Sequence, residues 1–150
     1  MVRNLFMGAL MSVAFATSAF AQGQVGTAAE ARAMLEKGVT ELKANDAMAI
    51  AKFNDTDGGF RDRDLYVYCF DMGSRRFTAH VNSAAVGTEV NSVKEKDGSP
   101  LGQKLYDAAK EGTITTVNYN FPKPGETDPV AKQAYVTRAG SQGCGVGYYK

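Results

Sequence analysis

Hydrophobic residues first recur along the chain with the spacing of an α-helix. This pattern covers residues 28–53, which are also rich in Ala, Lys and Glu. Thr27 and Glu30 have the spacing of a capping box, which marks the start of a helix. Asn45-Asp46 can form a turn or a second N-cap inside the stretch. We therefore predict one long or kinked helix over about 28–53.

After a polar loop at 54–64, the hydrophobic period changes to two. Runs of β-branched and aromatic residues predict five strands, at 65–71, 76–80, 113–121, 130–137 and 144–149. Residues 81–98 have no sustained period and should form mostly loop. Ser99-Pro100 and Gly112 mark the start and end of a second helix over 100–111. This order predicts an α+β fold, in which a long N-terminal helix packs on one face of a five-stranded antiparallel sheet.

The first 21 residues have the pattern of a secretory signal peptide. Arg3 gives a positive start, an apolar run follows, and small residues end at Ala21. The apolar core of about 11 residues is shorter than the roughly 20 that a spanning helix needs. We expect cleavage after Ala21 and export of a domain at 22–150 to the periplasm or the medium. No membrane insertion is expected after cleavage.

The charge balance and the motifs exclude several classes of function. The chain has 17 basic and 16 acidic residues, and the predicted signal peptide carries one base and no acid. A neutral mature domain lacks the basic excess that nucleic-acid binding needs. One His cannot build a multi-His metal site, and no catalytic serine, zinc-protease or P-loop motif occurs. We expect no enzyme activity, no metal and no cofactor.

The chain has only two cysteines, Cys69 and Cys144. In an exported protein they favour a disulfide, since thiols in such compartments tend to be oxidised. Two separate buried thiols remain the alternative.

Several stretches together resemble the type-2 single Cache domain, a PAS-like extracytoplasmic sensor module. These stretches are 62–80, 86–90, 96–112, 117–125, 132–138 and 145–149. The resemblance implies the sheet order 2-1-5-4-3, in which the first and last strands are neighbours. This order supports a disulfide between Cys69 and Cys144.

The resemblance also implies a site for a small organic acid, an amino acid or a related metabolite, between the sheet and the loop after the second strand. The matching positions are Tyr66, Tyr68, His80, Tyr119, Lys132 and Tyr135. An ammonium group with His and Tyr donors suits a carboxylate, and aromatic faces suit the rest of a small ligand.

Each of these positions also has an alternative interpretation. His80 can cap backbone groups at a strand end, Lys132 can be solvated, and one of Tyr66 and Tyr68 can pack in the core. In a regular strand Lys132 and Tyr135 point to opposite faces. Both can line one pocket only if Lys132 precedes the strand or a bulge intervenes.

The expected function is small-molecule sensing or solute binding, together with a separate membrane receptor or kinase. One alternative is a structural or interaction protein that keeps the fold without a ligand. Another is a haem-binding PAS-like sensor with His80 as the axial ligand.

Overall fold

The computed structural model describes residues 25–150, so the predicted signal peptide and its cleavage site lie outside the described residues. This part of the chain contains three α-helices and six strands. The helices are α1 (Ala28–Ala44), α2 (Asp46–Asn54) and α3 (Leu101–Ala108). The strands are β1 (Arg61–Asp62), β2 (Leu65–Asp71), β3 (Phe77–Ala79), β4 (Thr115–Pro122), β5 (Pro129–Ala139) and β6 (Gln142–Tyr149).

All strand pairs of the sheet are antiparallel. The five longer strands pair in the order β3–β2–β6–β5–β4, and the two-residue β1 also pairs with β2. The sheet therefore has six strands instead of the predicted five, because Arg61 and Asp62 pair back onto Tyr66 and Leu65. The α+β class is confirmed.

Each face of the sheet has its own hydrophobic core. Leu65, Val67 and Cys69 of β2 belong to a cluster with buried residues of α1 and α2. Tyr68 and Phe70, which alternate with them, belong to a second cluster with α3. The period of two along β2 thus separates a helix face, covered by α1 and α2, from a face covered by α3 and the segment 81–99.

The predicted N-terminal helix is broken into α1 and α2 at Asn45. Thr27 and Glu30 form the predicted capping box of α1. Asn45 has an extended backbone, and its side-chain oxygen accepts a hydrogen bond of 3.0 Å from the Met48 N–H. The second N-cap is confirmed, and it explains the break in the helix.

The predicted helix 100–111 is shorter than its flanking signals indicated. Pro100, not Ser99, is the N-cap of α3 and makes no side-chain cap bond. The helix ends at Ala108 because the next residues pair with other chain segments: the Lys110 carbonyl accepts the Arg138 N–H at 3.1 Å. Gly112 has a φ of +69° in the following turn and does not end the helix.

A disulfide joins Cys69 and Cys144, so the alternative of two free thiols does not hold. The two residues are directly opposite each other on β2 and β6, with their Cα atoms 4.1 Å apart. Both are buried on the helix face. The bond therefore holds two central strands together.

We predict that replacing both cysteines by alanine destabilises the protein by about 4–5 kcal/mol, because the disulfide closes a 75-residue separation that otherwise adds entropy to the unfolded chain. Urea unfolding under non-reducing conditions measures this loss. Wild type in excess reductant is the matched control and should approach the stability of the variant. Equal stability of the variant and the oxidised wild type would contradict the prediction.

Candidate ligand-binding site

A cavity of about 190 Å³ lies between the sheet and the segment that contains α3. Its wall is largely aromatic and aliphatic, with contributions from β2, β4, β5, α3 and the loop 81–99. The volume is below the roughly 300–1,000 Å³ of pockets that hold drug-sized ligands. Such a cavity suits a ligand of a few heavy atoms.

Five of the six predicted site residues line this cavity. They are Tyr66, Tyr68, His80, Tyr119 and Lys132. The structure thus brings together residues from three strands and from the end of β3, although they are far apart in sequence.

The sixth predicted residue, Tyr135, lies on the opposite face of the sheet. Its ring stacks on Tyr148 at a centroid distance of 5.7 Å, and the Arg32 guanidinium of α1 lies 5.9 Å from its centroid. The reason is parity: β5 pairs with β6 without a bulge, and Lys132 lies within the strand instead of preceding it. Tyr135 therefore does not line the cavity.

Among residues 25–150, Lys132 is the only charged residue that lines the cavity, and it is 4% exposed. Its Nζ lies 4.5 Å from the ring centroid of Tyr149, 5.5 Å from that of Tyr66 and 5.8 Å from that of Phe121. Within residues 25–150 the ammonium makes no hydrogen bond or ion pair, and only cation–π contacts surround it. The side chain is thus largely buried, although it also borders an exterior depression near Asn118 and Asn120.

The burial of Lys132 changes its ionisation. Loss of hydration lowers the pKa of the ammonium from 10.5 to about 8, against a smaller opposing effect of the Asp64 carboxylate. Most Lys132 side chains are thus still charged at neutral pH. The cavity therefore holds a buried cation without a counter-ion in contact.

His80 is held as a neutral ring with a defined tautomer. Its Nδ1 accepts a hydrogen bond of 3.0 Å from the Asn82 N–H. Burial lowers the pKa of His80, and the Lys132 charge lowers it further. Because Nδ1 accepts, the neutral ring carries its proton on Nε2 and offers one donor.

The cavity tyrosines are neutral donors. Burial raises the pKa of Tyr66, Tyr68 and Tyr119 above the ordinary value. The Tyr68 hydroxyl is buried and has no hydrogen-bond partner in the part of the chain that the structure describes. Together with Lys132 and His80, these groups offer donors and one positive charge, an arrangement that suits an anion.

Sequence reasoning missed other wall residues, namely Phe77, Leu101, Leu105 and Phe121 of the cavity and Tyr149 beside Lys132. The period of two along β4 could have indicated Phe121, since it shares a face with Tyr119. The leucines of α3 carry no such signal, because their place depends on how the helix packs on the sheet.

The cavity is small for haem. The volume of about 190 Å³ is below the roughly 300–1,000 Å³ of pockets that hold drug-sized ligands. His80 Nδ1 is already engaged, and its ring is edge-on to Tyr66 and Phe77 at 5.4 and 5.5 Å between centroids. Axial ligation would use His80 Nε2, which makes no hydrogen bond among the described residues, so the haem alternative stays a prediction that the small volume disfavours.

An antiparallel sheet with helices on one face and a small cavity on the other defines a PAS-like α+β domain. The family model for Single Cache domain 2 matches residues 1–148. The chain belongs to this family of sensory domains.

Solved structures of sensory domains share the fold. A methyl-accepting chemotaxis protein from Vibrio parahaemolyticus superposes with a TM-score of 0.65 at 20% identity, over 81% of this chain and 86% of that one. A Cache chemosensory domain studied for carboxylic acid recognition has a TM-score of 0.58 at 23% identity, over 81% and 86%. A periplasmic sensor domain of a chemotaxis protein has a TM-score of 0.57 at 22% identity, over 81% and 88%.

The sequence is also similar to a chemotaxis receptor. Methyl-accepting chemotaxis protein McpP of Pseudomonas putida is 28% identical over 75 residues. The matched region is 50% of this chain and 14% of McpP, so the chain corresponds to a small part of that receptor.

We predict that Lys132→Met stabilises the ligand-free protein at pH 7, because it removes a buried charge that has no ion-pair partner. The folded pKa of about 8 lies below the unfolded one, so the unfolded state binds more protons between pH 8 and 10.5. The free energy of unfolding of the wild type should therefore increase by about 3 kcal/mol between pH 8 and 10.5.

Urea unfolding of both proteins at pH 7 and pH 10 measures this difference, which should be larger at pH 7. The control is Lys150→Met, which changes an exposed lysine and should show no such pH dependence. A Lys132→Met advantage that is constant with pH would refute the assigned buried charge.

Proposed function

We propose that this chain is an extracytoplasmic sensory or solute-binding module that binds a small organic acid in the cavity beside Lys132. The ligand's carboxylate accepts hydrogen bonds from the Lys132 ammonium, with His80 Nε2–H and tyrosine hydroxyls as further donors. The aromatic walls contact the short remainder of the ligand.

The observation that carries this proposal is the buried ammonium of Lys132. Taking an ion out of water costs several kcal/mol unless a partner of opposite charge compensates. The described residues supply no such partner in contact, only aromatic rings. A bound carboxylate would supply the missing charge in a place where the low dielectric strengthens the pair.

The size and lining of the cavity support a short ligand. About 190 Å³ leaves room for a carboxylate and a few further heavy atoms. No carboxylate side chain of the described part of the chain lines the cavity, so a cationic ligand would meet Lys132 without compensation. The carboxylic acid recognition named for one structural neighbour agrees with this choice of ligand class.

Export and a signalling partner complete the proposal. The disulfide between Cys69 and Cys144 fits an oxidising compartment, and the N-terminal sequence has the pattern of a signal peptide. Within residues 25–150 no helix has the length and hydrophobicity needed to cross a membrane. Since the similar proteins are chemotaxis receptors, we propose a membrane receptor or kinase as the partner that reads the bound state.

A thermal-shift screen with acetate, propanoate and butanoate tests the ligand class. Propanamide is the matched neutral control, and ethylamine the cationic one. We predict that only the carboxylates stabilise the protein, and not the amide or the amine. A carboxylate that binds should raise the free energy of unfolding by about 2.7 kcal/mol at a concentration 100-fold above its Kd.

In the same assay, Lys132→Met should weaken carboxylate binding by about 1.5–3 kcal/mol, the scale of a hydrogen bond to a charged group. Lys150→Met should leave it unchanged. Equal responses to propanamide and propanoate would contradict the role of charge. No response to any of the compounds would favour a structural or interaction protein without a ligand.

A further inference from the structure

Every second residue of strand β6 from 143 to 147 is a glycine. These three residues, Gly143, Gly145 and Gly147, all lie on the cavity face. Neighbouring side chains fill the space that their missing side chains leave. A Cβ atom at Gly143 would meet the Phe70 ring, and one at Gly145 would meet the Tyr68 hydroxyl. Glycine weakens a strand interior, so three alternating glycines indicate a requirement for space.

Gly147 differs from the other two in which groups occupy its space. A Cβ there would lie 2.6 Å from the Tyr119 hydroxyl and 2.8 Å from Lys132 Cε, with Lys132 Nζ at 3.5 Å. Cβ atoms do not approach other atoms within 3.0 Å, so a methyl group would displace both side chains. Gly147 is thus the glycine against which the charged side chain of the cavity packs.

The backbone of Gly147 does not itself require glycine, because its φ is not in the left-handed region. The residue lies in a regular pair with Ala134 of β5. Its lack of a side chain is therefore explained by the space that Lys132 and Tyr119 occupy.

We propose that Gly147 is the specificity-determining residue of this cavity, because its missing side chain lets Lys132 and Tyr119 lie against β6 and so sets the depth at which the ligand's anionic end binds. The claim that Gly147 sets the depth of ligand binding rests on the proposed carboxylate-binding function. The positioning of Lys132 by Gly147 does not, and it can be measured without a ligand.

The first test follows the titration of the Lys132 side chain by NMR in wild type and in Gly147→Ala. Lys132 also borders an exterior depression near Asn118 and Asn120, and we expect a methyl group at 147 to shift the side chain towards it. We expect the pKa of Lys132 to rise from about 8 towards its ordinary value of 10.5. Gly38→Ala is the control, since its added Cβ would make only ordinary contacts of 3.4–3.8 Å, on the other face.

The second test is the double variant Gly147→Ala, Tyr119→Phe. The phenylalanine lacks the oxygen nearest to the added methyl group, so the double variant should be more stable than Gly147→Ala alone, although Tyr119→Phe in wild type gains no such stability. This non-additivity separates a steric contact from a general loss of strand stability. It also keeps the test valid if Gly147→Ala alone folds poorly.

The third test compares acetate with butanoate. A shallower cavity in Gly147→Ala should shift the affinity ratio towards acetate by roughly tenfold or more, the scale of one methylene in a closed pocket. An unchanged Lys132 titration together with additive stabilities would overturn the role of Gly147. A changed titration in Gly147→Ala, together with no binding of either acid by the wild type, would retain the positioning role and overturn the proposed function.

Discussion

The register between β2 and β6 is the constraint on which both faces of this domain depend. Cys69 and Cys144 are directly opposite each other and covalently joined, so the pairing cannot slip by one residue. A slip of one residue would exchange the two faces and move Tyr68 from the cavity to the helix layer. The disulfide lies under α1 and α2, while the residues next to it in sequence, Tyr68 and Gly145, lie on the cavity side. A bond on the helix face thus fixes the geometry of the cavity.

Two features define the cavity, namely the burial of a positive charge and the space that a glycine leaves for it. Lys132 holds a positive charge among aromatic rings, which costs stability in the ligand-free protein. Gly147 supplies the space in which the lysine stem lies. An apolar side chain of similar shape would fill the same space without this cost. We therefore assign Lys132 a role in ligand binding. Stability and ligand binding are therefore expected to respond in opposite directions at position 132.

Local patterns predicted local structure well. The capping box, the N-cap at Asn45 and strand β2 all follow from residues near one another in sequence. Five of the six residues predicted from the family resemblance line one cavity, and parity alone already placed Tyr135 on the face opposite Lys132. The C-terminal end of α3 was missed because pairing between Lys110 and Arg138 overrides the signal at Gly112. The cavity leucines were missed because helix packing on a sheet is non-local.

The central claim is that the buried Lys132 ammonium is the group that binds the ligand's anion, and the proton balance of binding tests it most directly. Calorimetry of propanoate binding at pH 8, in two buffers of different ionisation enthalpy, gives the number of protons taken up. Lys132 has a pKa of about 8 in the free protein, and a bound anion raises it. The account predicts uptake of up to about 0.5 proton per site at pH 8 and almost none at pH 6. Binding without proton uptake at pH 8 would contradict it.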